Sequence, residues 1–228
     1  MKHIGFLRWD TVTVALASAT LLATSWSNAM PSYRHISAGT LSLVEKKYGA
    51  PAKERVVKWS AMLNQQAVAE NSSDGEKTRN ANDYFNQVEW LWDIDHWGQK
   101  DYWATPIETL ATNGGDCEDF SIGKYFSLTS MGMATKKLRI TYVKALDYNL
   151  AHMVLAYYPT PNAEPLILDN INKTILPASQ RRDLLPVYGF NGDGLWLAKS
   201  RKQSVNGDVS KNLPSWGKLK GKMQAELR

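Results

Sequence analysis

Three residues in the middle of the chain are of the types that together support nucleophilic catalysis: Cys117, His152 and Asp169. A thiol can attack, an imidazole can take its proton, and a carboxylate can orient the imidazole. Cys117 is the only cysteine in the sequence, so it has no internal disulfide partner. It stands in "GGDCEDFSIGKYFSL" (114–128), flanked by Asp116, Glu118 and Asp119. Carboxylates oppose ionisation of a thiol, so this run makes Cys117 a poor nucleophile unless positive charge is supplied nearby. Two readings follow: the acids hold an ion, or they simply suit the N-terminus of a helix.

The elements around these residues must bring them together. Gly114 and Gly115 permit a tight turn, and Asp116 can cap a helix from about Cys117 to Thr129, ending near Gly132. Cys117 then opens a helix, where free backbone N–H groups and the positive dipole end favour a thiolate and an oxyanion. Gly123 within that helix lowers its stability but allows a close neighbour. Beyond residue 137 the period changes. "LRITYVKAL" (138–146), "HMVLAYY" (152–158) and "PLILD" (165–169) read as strands, the last two joined by "PTPNAE". A hairpin centred near residue 162 sets His152 close to Asp169. His3, His35 and His96 lack such a setting.

Upstream, Pro51 sits at a plausible first helical position, and Val56, Trp59, Leu63 and Ala67 form one apolar helical stripe. A second stripe is expected at Phe85, Val88 and Trp92, and "ATPIE" encodes a capping box at Thr105 and Glu108. Trp90, Trp92, Trp97 and Trp103 are placed either in the core or along a substrate cleft, with Trp103 as the substrate-side candidate.

The 228 residues and 43% hydrophobic content suit one core. Residues 1–29 read as a secretory signal, with Lys2 and Arg8 before the apolar run 11–26 and small residues Ser27 and Ala29 at a cleavage site; an uncleaved anchor is the alternative. Residues 199–228 hold eight basic against two acidic residues, so the formal net charge of +5 belongs to this end. With no sustained period and scattered turn formers, it reads as a basic, flexible tail rather than a nucleic-acid-binding arm. The catalytic domain is thereby expected over 30–198.

The runs "DYWATPIETL", "GGDCEDFSIGKYFSL", "LRITYVKAL", "AHMVLAYY", "PLILDNI", "PASQRRDLLPVYGFN" and "GLW" resemble the LapG family of bacterial transglutaminase-like periplasmic cysteine proteases. The likeness spans about Tyr48 to Trp196. It implies an α+β, papain-like fold, with N-terminal helices and the nucleophile helix packed on an antiparallel sheet, and Cys117, His152 and Asp169 as the triad. It also implies calcium held by Asp116, Glu118 and Asp119, which would offset the charge around the thiol. The implied substrate is a large surface adhesin cut near its N-terminus, and the implied partner is an inner-membrane cyclic di-GMP receptor that sequesters the protease. A transglutaminase, a peptidoglycan peptidase and a non-catalytic periplasmic binding protein are the alternatives.

Overall fold

The computed structural model describes residues 31–69, 72–198 and 209–227. The expected signal, residues 1–29, lies outside the described residues. The chain starts with α1 (Ala38–Tyr48), α2 (Ala50–Val68) and α3 (Asp74–Phe85). Pro51 lies in the first turn of α2, and Val56, Trp59 and Leu63 are buried along one stripe, as their spacing predicts. The stripe expected at Phe85, Val88 and Trp92 is not helical. α3 ends at Phe85, and the chain extends into the short strand β1 (Glu89–Trp90) and one turn, α4 (Asp93–His96). Those three residues share a helical period, but the pairing of β1 with a later glycine pair offers its backbone a sheet partner instead.

α5 (Pro106–Thr112) carries the expected capping box, with Thr105 and Glu108 bonding reciprocally. Asn113 adopts a left-handed conformation at its end, and β2 (Gly114–Gly115) runs parallel to β1, with Glu89 beside Gly114 and Trp90 beside Gly115. α6 (Cys117–Ser130) follows directly. It packs against the sheet and is almost wholly buried, which explains its weak amphipathic signal. A Cβ on Gly123 would lie 2.0 Å from Phe85 Cε1, so only glycine admits α3 at this distance.

The remaining chain forms an antiparallel sheet of β3 (Leu138–Ala145), β4 (Leu150–Tyr157), β5 (Leu166–Leu168), β6 (Leu176–Pro177), β7 (Leu184–Phe190) and β8 (Leu195–Leu197), in the order β6-β5-β4-β3-β7-β8. β4 and β5 pair with Leu155 beside Leu168 and Tyr157 beside Leu166, the register of the expected hairpin. Between the helices and the sheet lies an aromatic core. Trp59 donates to Ser127 Oγ at 2.9 Å, and Trp59 and Phe85 meet edge to face at 5.8 Å.

The C-terminal residues depart from the expected flexible tail. α7 (Val209–Asn212) and α8 (Pro214–Glu226) bury Val209, Trp216, Leu219 and Met223 in this core. Trp216 stacks on Phe126 at 5.8 Å and meets Phe190 edge to face at 5.3 Å. The lysines that dominate the segment's composition mask four apolar residues, which suffice to dock a short helix. The domain therefore extends beyond residue 198, to Leu227 at least. Among the described residues no helix is long and apolar enough to cross a membrane.

Candidate active site

The cap of α6 fixes Cys117. Asp116 and Asp119 form a capping box, each carboxylate accepting from the other's backbone N–H. Asp119 also accepts from the Ala104 N–H at 2.7 Å, tying the helix start to the segment before α5. Cys117 is partly exposed, and the Met153 backbone N–H acts on its sulfur in the direction that favours the thiolate. Met153 follows His152 on β4, so the nucleophile helix meets the sheet beside the imidazole.

His152 Nε2 and Asp169 Oδ1 lie 2.8 Å apart, both buried. The hairpin register brings the start of β4 alongside the residue after β5, so the pair predicted from sequence is realised. With Nε2 engaged by Asp169, Nδ1 is the ring nitrogen left for the thiol proton. Burial opposes the charge on Asp169. The hydrogen bonds and charges of His152 and Arg181 outweigh burial and hold the carboxyl well below the usual range.

The other side of Cys117 is electrostatically opposite. Burial pushes the thiol up, and the charges of Glu118 and Asp116 push it further; the thiol donates to Glu118 Oε2 at 3.1 Å. Asp116 is pushed up to about 10 by burial and then by Glu118, and Asp119 is raised by the same two causes. Asp93 rises to about 6, chiefly by burial.

Asp116, Glu118 and Asp119 do gather, and two acids that the sequence reading missed join them. Ligand atoms of Asp93, Asp116 and Asp119 lie within 4.8 Å of one another, and so do those of Asp93, Asp101 and Glu118. No spacing rule links residue 93 to 116. The link is the parallel pairing of β1 and β2, which sets the residues after Trp90 beside those after Gly115. Oδ1 of Asp93 and Oδ1 of Asp116 are buried without a hydrogen-bond partner. Orphaned oxygens among crowded carboxylates fit a hard, oxygen-seeking cation such as calcium. Asp119 reaches the cluster with both oxygens already accepting backbone N–H groups, so it braces the site as well as facing it.

Cys117 and His152 line two adjoining clefts. One, of about 380 Å³, is walled by Trp90, Trp92, Tyr148, Leu150 and Ile171. The other, of about 400 Å³, is walled by Trp92, Trp103, Tyr142, Tyr188 and Leu213 to Ser215. Trp103 does border the cleft, but it is only 8% exposed and stacks on Phe190 at 5.7 Å. Trp90 and Trp92 are the exposed pair, at 43% and 50%. His96, set aside on sequence grounds, bonds Thr112 Oγ1 at 3.0 Å and takes no part in the site.

Comparison with known proteins agrees with this geometry. A family model described as bacterial transglutaminase-like cysteine proteinase matches residues 54–183. The chain is similar to the structure of Legionella pneumophila LapG, with 38% identity over 85% of this chain and 98% of that one, at a TM-score of 0.70. An EGTA-treated form of the Legionella protein matches at 39% identity over 85% and 98% of the two chains, with a TM-score of 0.72. A calcium-bound form matches at 39% over 82% and 99%, with a TM-score of 0.70. No curated protein matches the chain. The matched span encloses the thiol, the imidazole and the buried carboxylate, and by that match the chain belongs to the bacterial transglutaminase-like cysteine proteinases.

Proposed function

We propose that this cysteine protease is a calcium-dependent endopeptidase of the periplasm. Its substrate is the N-terminal region of a large surface adhesin, whose release controls biofilm attachment, and an inner-membrane cyclic di-GMP receptor sequesters the enzyme. The observation that carries the catalytic reading is a His152 bonded to the buried Asp169 and lining the same two clefts as Cys117.

The chain's own residues account for the chemistry. Cys117 attacks the scissile carbonyl carbon as its proton passes to His152, and the peptide nitrogen takes that proton as it leaves. Water then cleaves the thioester, with His152 accepting its proton and returning it to the departing sulfur. Asp169 holds the ring in one orientation throughout. Peptide on either side of the bond has room along the two clefts, one lined by the exposed Trp90 and Trp92.

Calcium would be held by Asp116 and Glu118, with Asp119, Asp93 and Asp101 close by. When bound, it supplies positive charge that offsets the carboxylates opposing ionisation of Cys117. The calcium-bound and EGTA-treated relatives support this reading. The location, the adhesin and the receptor rest on likeness to the LapG family.

The test is to incubate the purified protein, in calcium, with adhesin N-terminal fragments, with amine donors and with muropeptides. Cleavage of the adhesin fragment alone is the expected result. Amine incorporation or muropeptide cleavage without adhesin cleavage would replace this reading with a transglutaminase or a peptidoglycan peptidase.

A further inference from the structure

Both carboxylate oxygens and the carbonyl oxygen of Asp169 are held. Oδ1 accepts from His152 Nε2 at 2.8 Å and from the Ile171 N–H at 3.1 Å. Oδ2 accepts from Arg181 Nη2 at 2.7 Å. The backbone carbonyl accepts from Asn86 Nδ2 at 3.0 Å and Lys124 Nζ at 2.9 Å. Asn86 and Lys124 thus pin the main chain, and Arg181 is the side chain that grips the carboxylate on the side away from His152.

We propose that Arg181 is a positioning residue for the triad: it fixes the Asp169 carboxylate so that Oδ1 stays on His152 Nε2. The terminal torsion of an aspartate is soft, and rotation about it would take Oδ1 off the imidazole. A partner on Oδ2 stops that rotation only if it is itself fixed. Arg181 is fixed, because its Nε and Nη2 bond the two carboxylate oxygens of Asp183 at 3.0 and 2.7 Å. The guanidinium is planar and permanently charged, so it also favours the ionised carboxylate at a buried position. Its side chain is 2% exposed and its Nη1 has no hydrogen-bond partner. Burying an arginine is costly, and a cation whose donor set is incompletely used is poorly explained as structural glue. Its place is explained by what Nη2 touches.

The proposal rests on the triad of the preceding section, and its test separates the two. Arg181→Gln, Arg181→Lys and Arg181→Ala are made in the full chain. Each is followed by kcat and KM on a peptide substrate, by thermal melting, and by NMR of the His152 Nε2–H proton in histidine-labelled protein. For Arg181→Gln, kcat falls about ten- to a hundredfold with KM within about twofold, in line with loss of a charged hydrogen bond. The protected imidazole proton is lost with it. Arg181→Lys keeps part of both signals, because one ammonium contact replaces a fork, and millimolar guanidinium restores both in Arg181→Ala. If Arg181→Gln does not fold, Arg181→Lys and the guanidinium rescue carry the test. The proposal is overturned if kcat falls only in step with the folded fraction while the imidazole proton persists, or if guanidinium restores nothing. Should the wild-type protein cleave no peptide, the protease reading fails, and the NMR signal still decides whether Arg181 holds Asp169 on His152.

Discussion

The two sides of Cys117 are built on opposite electrostatic terms. Towards the sheet, the charge of Asp169 is met by Arg181 and by the His152 imidazole, and each of its oxygens has a donor. Towards α4 and β2, the acids Asp93, Asp101, Asp116, Glu118 and Asp119 converge with orphaned oxygens among them. The first side is complete as the polypeptide stands. The second is left with unpartnered oxygens, and its charge acts against the thiol it surrounds. A nucleophile placed at this boundary can be fully positioned and still inactive. Assembly of the triad is a property of the fold, whereas its activation, on the proposed function, is a property of the acidic side.

The largest expected effect removes the residue both sides share. Cys117→Ala should lower cleavage to background, on the order of a 10⁴-fold loss or more, with an unchanged melting profile. His152→Ala should be nearly as severe, while Asp169→Asn keeps residual activity because the side chain still fills the site. Single-turnover assays on one peptide substrate measure all three.

The next effect touches only the acidic side. A chelator should slow cleavage at least about tenfold, since burial and the charges of Glu118 and Asp116 then hold the thiol above its ordinary pKa. Added calcium should restore it. Asp116→Ala combined with Glu118→Ala should reproduce the loss with no calcium rescue, and magnesium should serve poorly because it dehydrates reluctantly and demands a tight octahedron. Activity titrations in metal-stripped buffer check each point.

A third change loosens the scaffold behind both sides. Trp216→Ala removes a fully buried ring from between Phe126 and Phe190, and should cost about 3–5 kcal/mol by denaturant unfolding. α8 begins within the Leu213 to Ser215 wall of the cleft, so KM should rise as well.

The last effect is on stability against pH. Asp93 and Asp116, at about 6 and about 10, sit above their ordinary value of 3.8, so the folded chain keeps protons that the unfolded chain releases. Stability without calcium is therefore greatest near pH 4 and declines as pH rises through 6. Glu226, at about 7, acts in the same sense, and Lys124, at about 7, acts in the opposite sense only above that pH. Between pH 5 and 7 the melting temperature of the metal-free protein should therefore fall, as these groups lose protons in the unfolded chain first. Calcium should remove the share owed to the cluster.

What the sequence made legible follows the range of the interactions involved. α6, its cap and the His152–Asp169 hairpin rest on local pattern: a glycine turn, a capping box, alternation and a short loop. Asp93 and Asp101 rest on a parallel pairing between two-residue strands, too short to show as a period. The glycines of β2 carry no side chain to mark it. Arg181 was hidden differently, since a basic residue among polar neighbours gives no sign that folding buries it against Asp169. α7 and α8 were concealed by their lysines, which outnumber the buried Trp216, Leu219 and Met223 that hold the longer helix.

The most direct measurement of the account is the rate at which iodoacetamide alkylates Cys117 across pH, in calcium and in EGTA, on the wild-type chain. It needs no substrate, and Cys117 is the only thiol. Calcium should lower the pH at which Cys117 becomes reactive and speed alkylation at pH 7 about tenfold or more. Identical profiles in calcium and EGTA would contradict it, because the acidic cluster would then have no hold on the nucleophile.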